Sequence, residues 1–429
     1  LDSKKVLIIT YYWPPAGGPG VQRWLKFVKY LPDFGVQPYV FVPENPTYPI
    51  LDSELKKDVS DKAIVIKTKI LEPYQLASYF SKKKTKNISS GIIPNQKKQS
   101  FLEKAFLWVR GNIFIPDARF LWIKPSVKFL EKYLQENQID TIITSGPPHS
   151  LHLIGLQLSK KNKSLHWIAD FRDPWTTIGY HKELKLSAYA EKKHQTLEKE
   201  VLQTANKIVV TSKTTKAEFQ KITNKPITII TNGYDSENTN KVPLDSKFSL
   251  AHIGSFLSQR NPKILWKSLS ELVSEIPHFK ADLEIKLIGA VSQDVLSTIT
   301  DFKLDSFVNN LGYVSHSEAI SHQQNSQVLL LIEIDSANTK SIIPGKLFEY
   351  MVSDRPILAI GPKDSDFAEI ITSTNTGVFF EYNQKEQLKA TILNYYDLYK
   401  DNNLKVAAVG LQNYSRKKLT AVLVQTILK

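Results

Sequence analysis

Short apolar runs alternate with longer stretches of helical spacing along most of the 429-residue chain. Residues 4–12, KKVLIITYY, predict a buried strand, and WPPAGGPG at 13–20 predicts a tight loop. A helix follows, with Val21, Trp24, Leu25, Val28 and Leu31 on one face. Strand, glycine loop and helix open a Rossmann-like unit. Val36–Pro43 and Ala63–Lys67 read as its next strands. Residues 68–135 break the alternation, and order returns with strands at 140–144, 167–169, 207–211 and 227–230 and a charged helix at 191–204. The polar segment SENTNKVPLDSK, 236–247, reads as a linker. Beyond it, apolar runs at 248–253, 283–288, 308–311, 328–332 and 356–360 repeat the plan. The tail from Ile392 onward reads as mostly helical, with Leu419, Val422, Leu423 and Ile427 spaced to pack. The fold class expected is therefore α/β, with two Rossmann-like doubly wound domains facing across a cleft.

Composition narrows the classes. Zero cysteines exclude disulfides and thiolate metal sites. No apolar run approaches the ~20 residues of a membrane span, and LDSKKVLIITYYW begins on a strand instead of a signal peptide, so the expected location is cytoplasmic. The formal charge of +14 is the unusual global number. Part of it is concentrated in Lys82, Lys83, Lys84, Lys86, Lys97 and Lys98, read either as a solvated loop or as a segment drawn to anionic lipid. The aromatic stretch Phe101–Tyr133, threaded with Lys104, Arg110, Arg119, Lys124 and Lys128, likewise fits helices capping a sheet or a surface dipping into a membrane interface. No groove-reading module accompanies the basic excess, so no nucleic-acid partner is expected.

Candidate chemistry centres on Ser341–Gly361, SIIPGKLFEYMVSDRPILAIG. Lys346–Val352 predicts a short helix burying Leu347, Phe348 and Met351, with Glu349 one turn above Gly345. An anion at the helix start would meet free N–H groups, and the carboxylate above would accept hydrogen bonds from hydroxyls; phosphate below sugar hydroxyls describes a nucleotide. In the first half, Gly17, Gly18 and Gly20 lack the third glycine of the dinucleotide fingerprint, which leaves a loop for close backbone approach or a structural turn. His149 follows the strand at 140–144, where open α/β sheets bind ligands. Asp170, Arg172 and Asp173 crowd the end of another strand, as an internal ion-pair network or as a site for polar substrate. Asp364-Ser365-Asp366 is better explained as a helix cap than as a metal motif, and Walker and Gly-x-Ser-x-Gly motifs are missing from the sequence.

The segment PGKLFEYMVSDRPILA resembles the donor-binding signature of retaining glycosyltransferases of the GT-B fold, family 4. Supporting motifs occur in order: YYWPP with Gly17, Gly18 and Gly20, SGPPH ending at His149, DFRDPW from Asp170, TNGYD from Thr231, Ile253-Gly254 through Arg260, and LGYVSH from Leu311. The resemblance implies that Glu349 binds ribose hydroxyls, that Gly345, Lys346 and Leu347 receive the diphosphate, and that Arg260 neutralises it as it leaves. It places Tyr313 and Val314 at the base, Gly18 near acceptor and donor phosphate, and His149 near the transferred sugar. Two positions depart from the family pattern: Ser341 stands where a second acid is usual, and Ser255 follows Gly254 where Arg is usual.

The resemblance implies an acceptor domain at 1–235, with a helix at 411–429 packing back on it, and a donor domain at 248–410. The expected activity is metal-independent hexosyl transfer with retention, as in polysaccharide biosynthesis. The donor would be a UDP- or GDP-linked sugar acting as co-substrate, with no cofactor, and the acceptor a glycan, a lipid-linked glycan or a small molecule. Peripheral contact with an anionic membrane at its inner face is a further expectation. Two alternatives stay open, a non-catalytic nucleotide-sugar or glycan binding protein and a nucleotide-sugar epimerase or hydrolase.

Overall fold

The computed structural model describes residues 3–73, 101–178, 184–235 and 242–428. The lysine-rich segment from Lys82 to Lys98 lies outside them. The chain forms two compact units, Leu1–Asn232 with Arg416–Lys429, and Gly233–Ser415.

In the first unit the elements run β1 (Lys4–Ile9), α1 (Pro19–Tyr30), β2 (Val36–Pro43), β3 (Ile64–Thr68), α2 (Phe101–Asn112), α3 (Ile123–Glu136), β4 (Thr141–Gly146), α4 (Ser150–Lys161), β5 (His166–Phe171), α5 (Ala188–Thr204), β6 (Lys207–Val210), α6 (Lys213–Gln220) and β7 (Ile227–Ile229). The strands form one parallel sheet ordered β3-β2-β1-β4-β5-β6-β7. Their near-continuous apolar runs have this cause: both faces of the sheet are covered. Leu7 and Ile9 of β1 point into one core with α3 and α4, whereas Val6 and Ile8 point into a second core with α1. All five residues of the apolar stripe predicted on α1 and its end are buried.

The second unit comprises β8 (Phe248–Ile253), α7 (Lys263–Glu275), α8 (Pro277–Asp282), β9 (Leu283–Ile288), α9 (Gln293–Asp301), β10 (Val308–Gly312), α10 (His316–Asn325), β11 (Val328–Ile332), α11 (Lys346–Met351), β12 (Ile357–Gly361), α12 (Asp366–Thr374), β13 (Gly377–Glu381) and α13 (Lys385–Lys400). The sheet is again parallel, ordered β10-β9-β8-β11-β12-β13. Two cores again flank it, one against α7 and α13 and the other against α11 and α12. The two Rossmann-like sheets are as the alternating pattern predicts.

Three local readings need correction. The strand β13, GVFFE, is not predicted by the pattern, because it is a short edge strand with Val378 exposed and no clean alternation. Gly377 opens it under backbone constraint, since a Cβ there would run into the Ile357 carbonyl oxygen. The tail is mostly helical, as expected, but the helix expected at 411–429 starts later: α13 ends at Lys400, Leu411–Tyr414 makes a 3-10 turn within the second unit, and α14 (Arg416–Leu428) belongs to the first. There Leu419, Leu423, Val424 and Ile427 join the core beside α1. Ser365 does precede α12, but its hydroxyl donates to the Pro362 carbonyl and makes no cap bond.

The aromatic stretch divides. Trp122 is buried and stacked on Phe41 at 5.0 Å, as in core packing, whereas Trp108, Leu121 and Phe129 are exposed.

Candidate functional site

Each sheet has one point where strand order reverses, and loops diverge from the carboxyl ends there. In the first unit that point lies between β1 and β4, whose loops carry Gly17, Gly18 and His149, with Gly20 in the first turn of α1. In the second it lies between β8 and β11, whose loops carry Gly254, Ser255, Arg260 and Glu333.

In the first unit Gly18, at φ +85°, stands immediately before α1. Arg172 braces the loop, donating to the Gly20 carbonyl at 2.8 Å and to that of Pro147, two residues before His149. A Cβ at Gly20 would lie 3.0 Å from the Arg172 guanidinium. His149 stacks on Trp175 with ring centroids 4.8 Å apart and planes 1° from parallel. It is 5% exposed, so its ring is set by packing before any ligand arrives. The Trp175 indole N–H points at His194 Nδ1 at 3.1 Å, and the Trp175 amide donates to Glu198.

Asp170 and Asp173 part company. Asp170 is fully buried and accepts hydrogen bonds from Arg23 Nε and Nη2, Trp24 Nε1 and Ser145 Oγ. Burial opposes its ionisation, but the Arg23 guanidinium overrides it and holds Asp170 below the usual carboxylate range. Arg23 also donates to the Thr231 carbonyl at 3.0 Å, which ties the TNGYD segment to the same network. Of the two readings of the DFRDPW cluster, Asp170 thus takes the internal ion pair and not the substrate contact. Asp173 makes no hydrogen bond among the described residues, and burial, countered by Arg172, raises its pKa.

The second unit brings Gly254, Arg260 and Lys346 together. Gly254 has φ +108°, and a Cβ placed there would have Lys346 Nζ as its nearest outside atom, 3.9 Å away. Lys346 Nζ lies 3.0 Å from both His252 Nε2 and the Ile253 carbonyl. Burial and then the Arg260 charge push the Lys346 pKa down to about 7, against the pull of Glu333. Arg260 is bonded through two nitrogens to both oxygens of Glu333, each at 3.1 Å. Leu347, next along α11, is buried. Gly345 stands immediately before α11, and Glu349, one turn on, accepts a hydrogen bond from Gln323 Nε2 at 3.0 Å. Tyr313, 92% exposed, and Val314 lie on the loop after β10, and Ser341 is buried; none of the three is hydrogen-bonded to the Arg260–Lys346 group.

Four residues of this cluster escape sequence reading: Glu333, His252, Gln323 and Tyr350, whose hydroxyl accepts from the Ile253 amide at 3.1 Å. Two carry a signal. Glu333 directly follows the apolar run VLLLI, and His252 interrupts the apolar run FSLAHI, both at carboxyl strand ends. Among the described residues no group of acids and histidines is arranged to hold a metal, and no helix is long and apolar enough to cross a membrane.

Residues 91–238 match the model of the family described as Glycosyltransferase Family 4. No curated protein matches the chain at the sequence level. Solved structures match over its whole length. A glycosyltransferase from Rickettsia africae ESF-5 superposes with a TM-score of 0.61 at 14% identity, covering 100% of this chain and 98% of its own. Anabaena HepE, solved with UDP-glucose, gives 0.58 at 13% identity, covering 98% of each chain. A putative UDP-N-acetylglucosamine 2-epimerase from Listeria monocytogenes gives 0.52 at 11% identity, covering 99% of this chain and 96% of its own. The motif resemblance thus meets a family match and a fold match: residues 91–238 are similar to family 4 glycosyltransferases, and the whole chain has the GT-B fold of the solved glycosyltransferases it matches.

Proposed function

We propose that the chain is a retaining glycosyltransferase that moves a hexose from a UDP- or GDP-linked donor to a glycan, lipid-linked or small-molecule acceptor, without a metal ion. The observation that carries this reading is the pairing of Arg260 and Lys346 beside Gly254 at the switch point of the second sheet. A leaving diphosphate gains negative charge in the transition state, and Arg260 together with Lys346 in its protonated form supplies the electrostatic stabilisation that a divalent ion would otherwise provide. Glu349, oriented by Gln323, is the acceptor for ribose hydroxyls. Retention and the sugar-side role of His149 rest on the family 4 resemblance. Docking at the inner, anionic face of a membrane belongs to the same reading, supported by the exposed Leu121 and Phe129, which neighbour Lys124 and Lys128 along the chain, and by the exposed Trp108, which neighbours Arg110.

The test is turnover of Arg260→Ala and Lys346→Ala with and without a chelator. Each substitution should slow transfer by about a hundredfold or more, the loss seen when one transition-state donor is removed. The chelator should change nothing. Wild-type turnover in both variants, or abolition by chelator, would refute the scheme. The epimerase or hydrolase reading is favoured instead if nucleotide appears with no acceptor added, and the binding-protein reading if donor binds and none is consumed.

A further inference from the structure

Arg260 and Lys346 are held in opposite ways. Arg260 has an anionic partner, because both carboxylate oxygens of the fully buried Glu333 receive its guanidinium hydrogen bonds. Lys346 has none within ion-pair distance among the described residues. Its Nζ meets an imidazole nitrogen and a main-chain carbonyl, both at 3.0 Å.

The groups around Lys346 come from every neighbouring element. His252 lies in β8, Arg260 on the loop after it, Glu333 directly after β11, and Tyr350, whose ring is 5.9 Å from Nζ, on α11 itself. Tyr382, after β13, donates to the Glu333 carbonyl at 2.8 Å and so closes the far side of the ion pair. Of these, Arg260 repels a charge on Lys346, Glu333 attracts it but is already engaged by Arg260, and the others are neutral. His252 is buried and stacked on Phe256 at 4.1 Å between centroids, so its ring cannot turn away. Burial, then Lys346 and Arg260, keep that imidazole uncharged. An ammonium has only protons to offer, so His252 Nε2 faces a charged Lys346 as an acceptor. The side chain is therefore aimed by partners that do not themselves hold its charge.

We propose that His252 is a positioning residue that holds Lys346 ready as an amine, so that arrival of a nucleoside diphosphate draws one proton from solvent onto Lys346 Nζ. This rests on the reading of the second unit as a nucleotide-sugar domain. The incoming phosphates bring the negative charge that Glu333 cannot supply, and the buried amine then becomes the stronger base. The proton adds to the nitrogen lone pair and no other bond changes. Binding is thereby linked to pH at one named atom.

The experiment is calorimetric titration of the full chain with UDP and with GDP, in two buffers of different ionisation enthalpy. At pH 8 both nucleotides are fully ionised, so uptake at that pH comes from the protein. Uptake should approach about one proton per bound nucleotide at pH 8 and fall to about half a proton or less at pH 7, where Lys346 is already partly charged and the nucleotide's terminal phosphate gives up some proton of its own. Lys346→Arg should bind with no uptake, because a guanidinium does not titrate there. His252→Phe, which keeps the stacked ring and removes the acceptor, should weaken binding about tenfold, and His252→Gln should restore most of it. Binding without uptake at pH 8, or uptake unchanged in Lys346→Arg, would overturn the proposal while leaving the nucleotide site intact. Failure of wild type to bind either nucleotide would overturn both. The wild-type and Lys346→Arg titrations decide the matter even if His252→Phe does not fold.

Discussion

Asp170 is a charged residue with nothing left to offer a ligand. Its four hydrogen bonds come from Arg23, Trp24 and Ser145, and Arg23 is buried with it. Asp170→Asn would leave that guanidinium in the interior without its counter-charge, which costs about 3–5 kcal/mol for a buried pair. Denaturant unfolding checks it, and a loss below about 1 kcal/mol, the scale of an exposed pair, would show that the network is not needed. The pH dependence has a fixed sign. Because the folded pKa is depressed, the stabilisation is present above the ordinary aspartate value of about 3.9 and is lost as the pH falls through the folded value. Asp173, three positions on, shifts the opposite way, because burial outweighs the opposing charge of Arg172. Both acids stand in one motif, DFRDPW, and nothing in it separates them. The difference comes from α1 and β4, which bring Arg23, Trp24 and Ser145 to Asp170 alone.

Strands β2, β8, β9 and β11 are readable to the residue because burial on both faces demands a mostly apolar run, unbroken in β11 and interrupted only by Gln37 in β2, Ser249 and His252 in β8, and Glu284 and Lys286 in β9. The loops that follow them are readable only as loops. Gly289, at φ +115° after β9, shows what stays hidden: a Cβ there would sit 2.6 Å from the Gly254 carbonyl oxygen. Two glycine turns from adjacent strands are therefore in backbone contact, and one supports the other beside Lys346. Gly289→Ala should destabilise the fold by about 1–3 kcal/mol through backbone strain and should also weaken UDP binding by displacing the Gly254 turn. Gly35→Ala is the control, since that glycine has φ +72° with open space around it. It should lose stability without losing affinity. Thermal unfolding and UDP titration of both variants test the pair, and equal affinities would show that the Gly254 turn does not depend on Gly289.

A chain carrying +14 will be drawn to anionic surfaces in general, so charge alone names no partner. What adds direction is the exposed apolar set Trp108, Leu121 and Phe129 among basic residues of the first unit. Sedimentation with vesicles of anionic and of neutral lipid should show binding to the anionic set alone, weakened by salt as the Debye length falls from about 10 Å at 0.1 M to about 3 Å at 1 M. Trp108→Ser should reduce the residual binding at high salt. Equal sedimentation with both lipids at low salt, or none with either, would remove the membrane from the proposal.

Two parallel sheets, the positions of their strands other than the edge strand β13, the α1 stripe and the helix carrying Lys346 and Glu349 are legible along the chain, because each follows from local periodicity and turn chemistry that no distant residue alters. The return of α14 to the first unit follows only by analogy, since an apolar helix face does not say which core it joins. The same holds for partnership. That Arg260 is matched by Glu333, 73 positions away, and that Lys346 is left to His252, 94 positions away, depends on the order in which β8 and β11 come together. Spacing in a sequence reports only neighbours along the chain, whereas charge balance in a buried site is settled by neighbours in space.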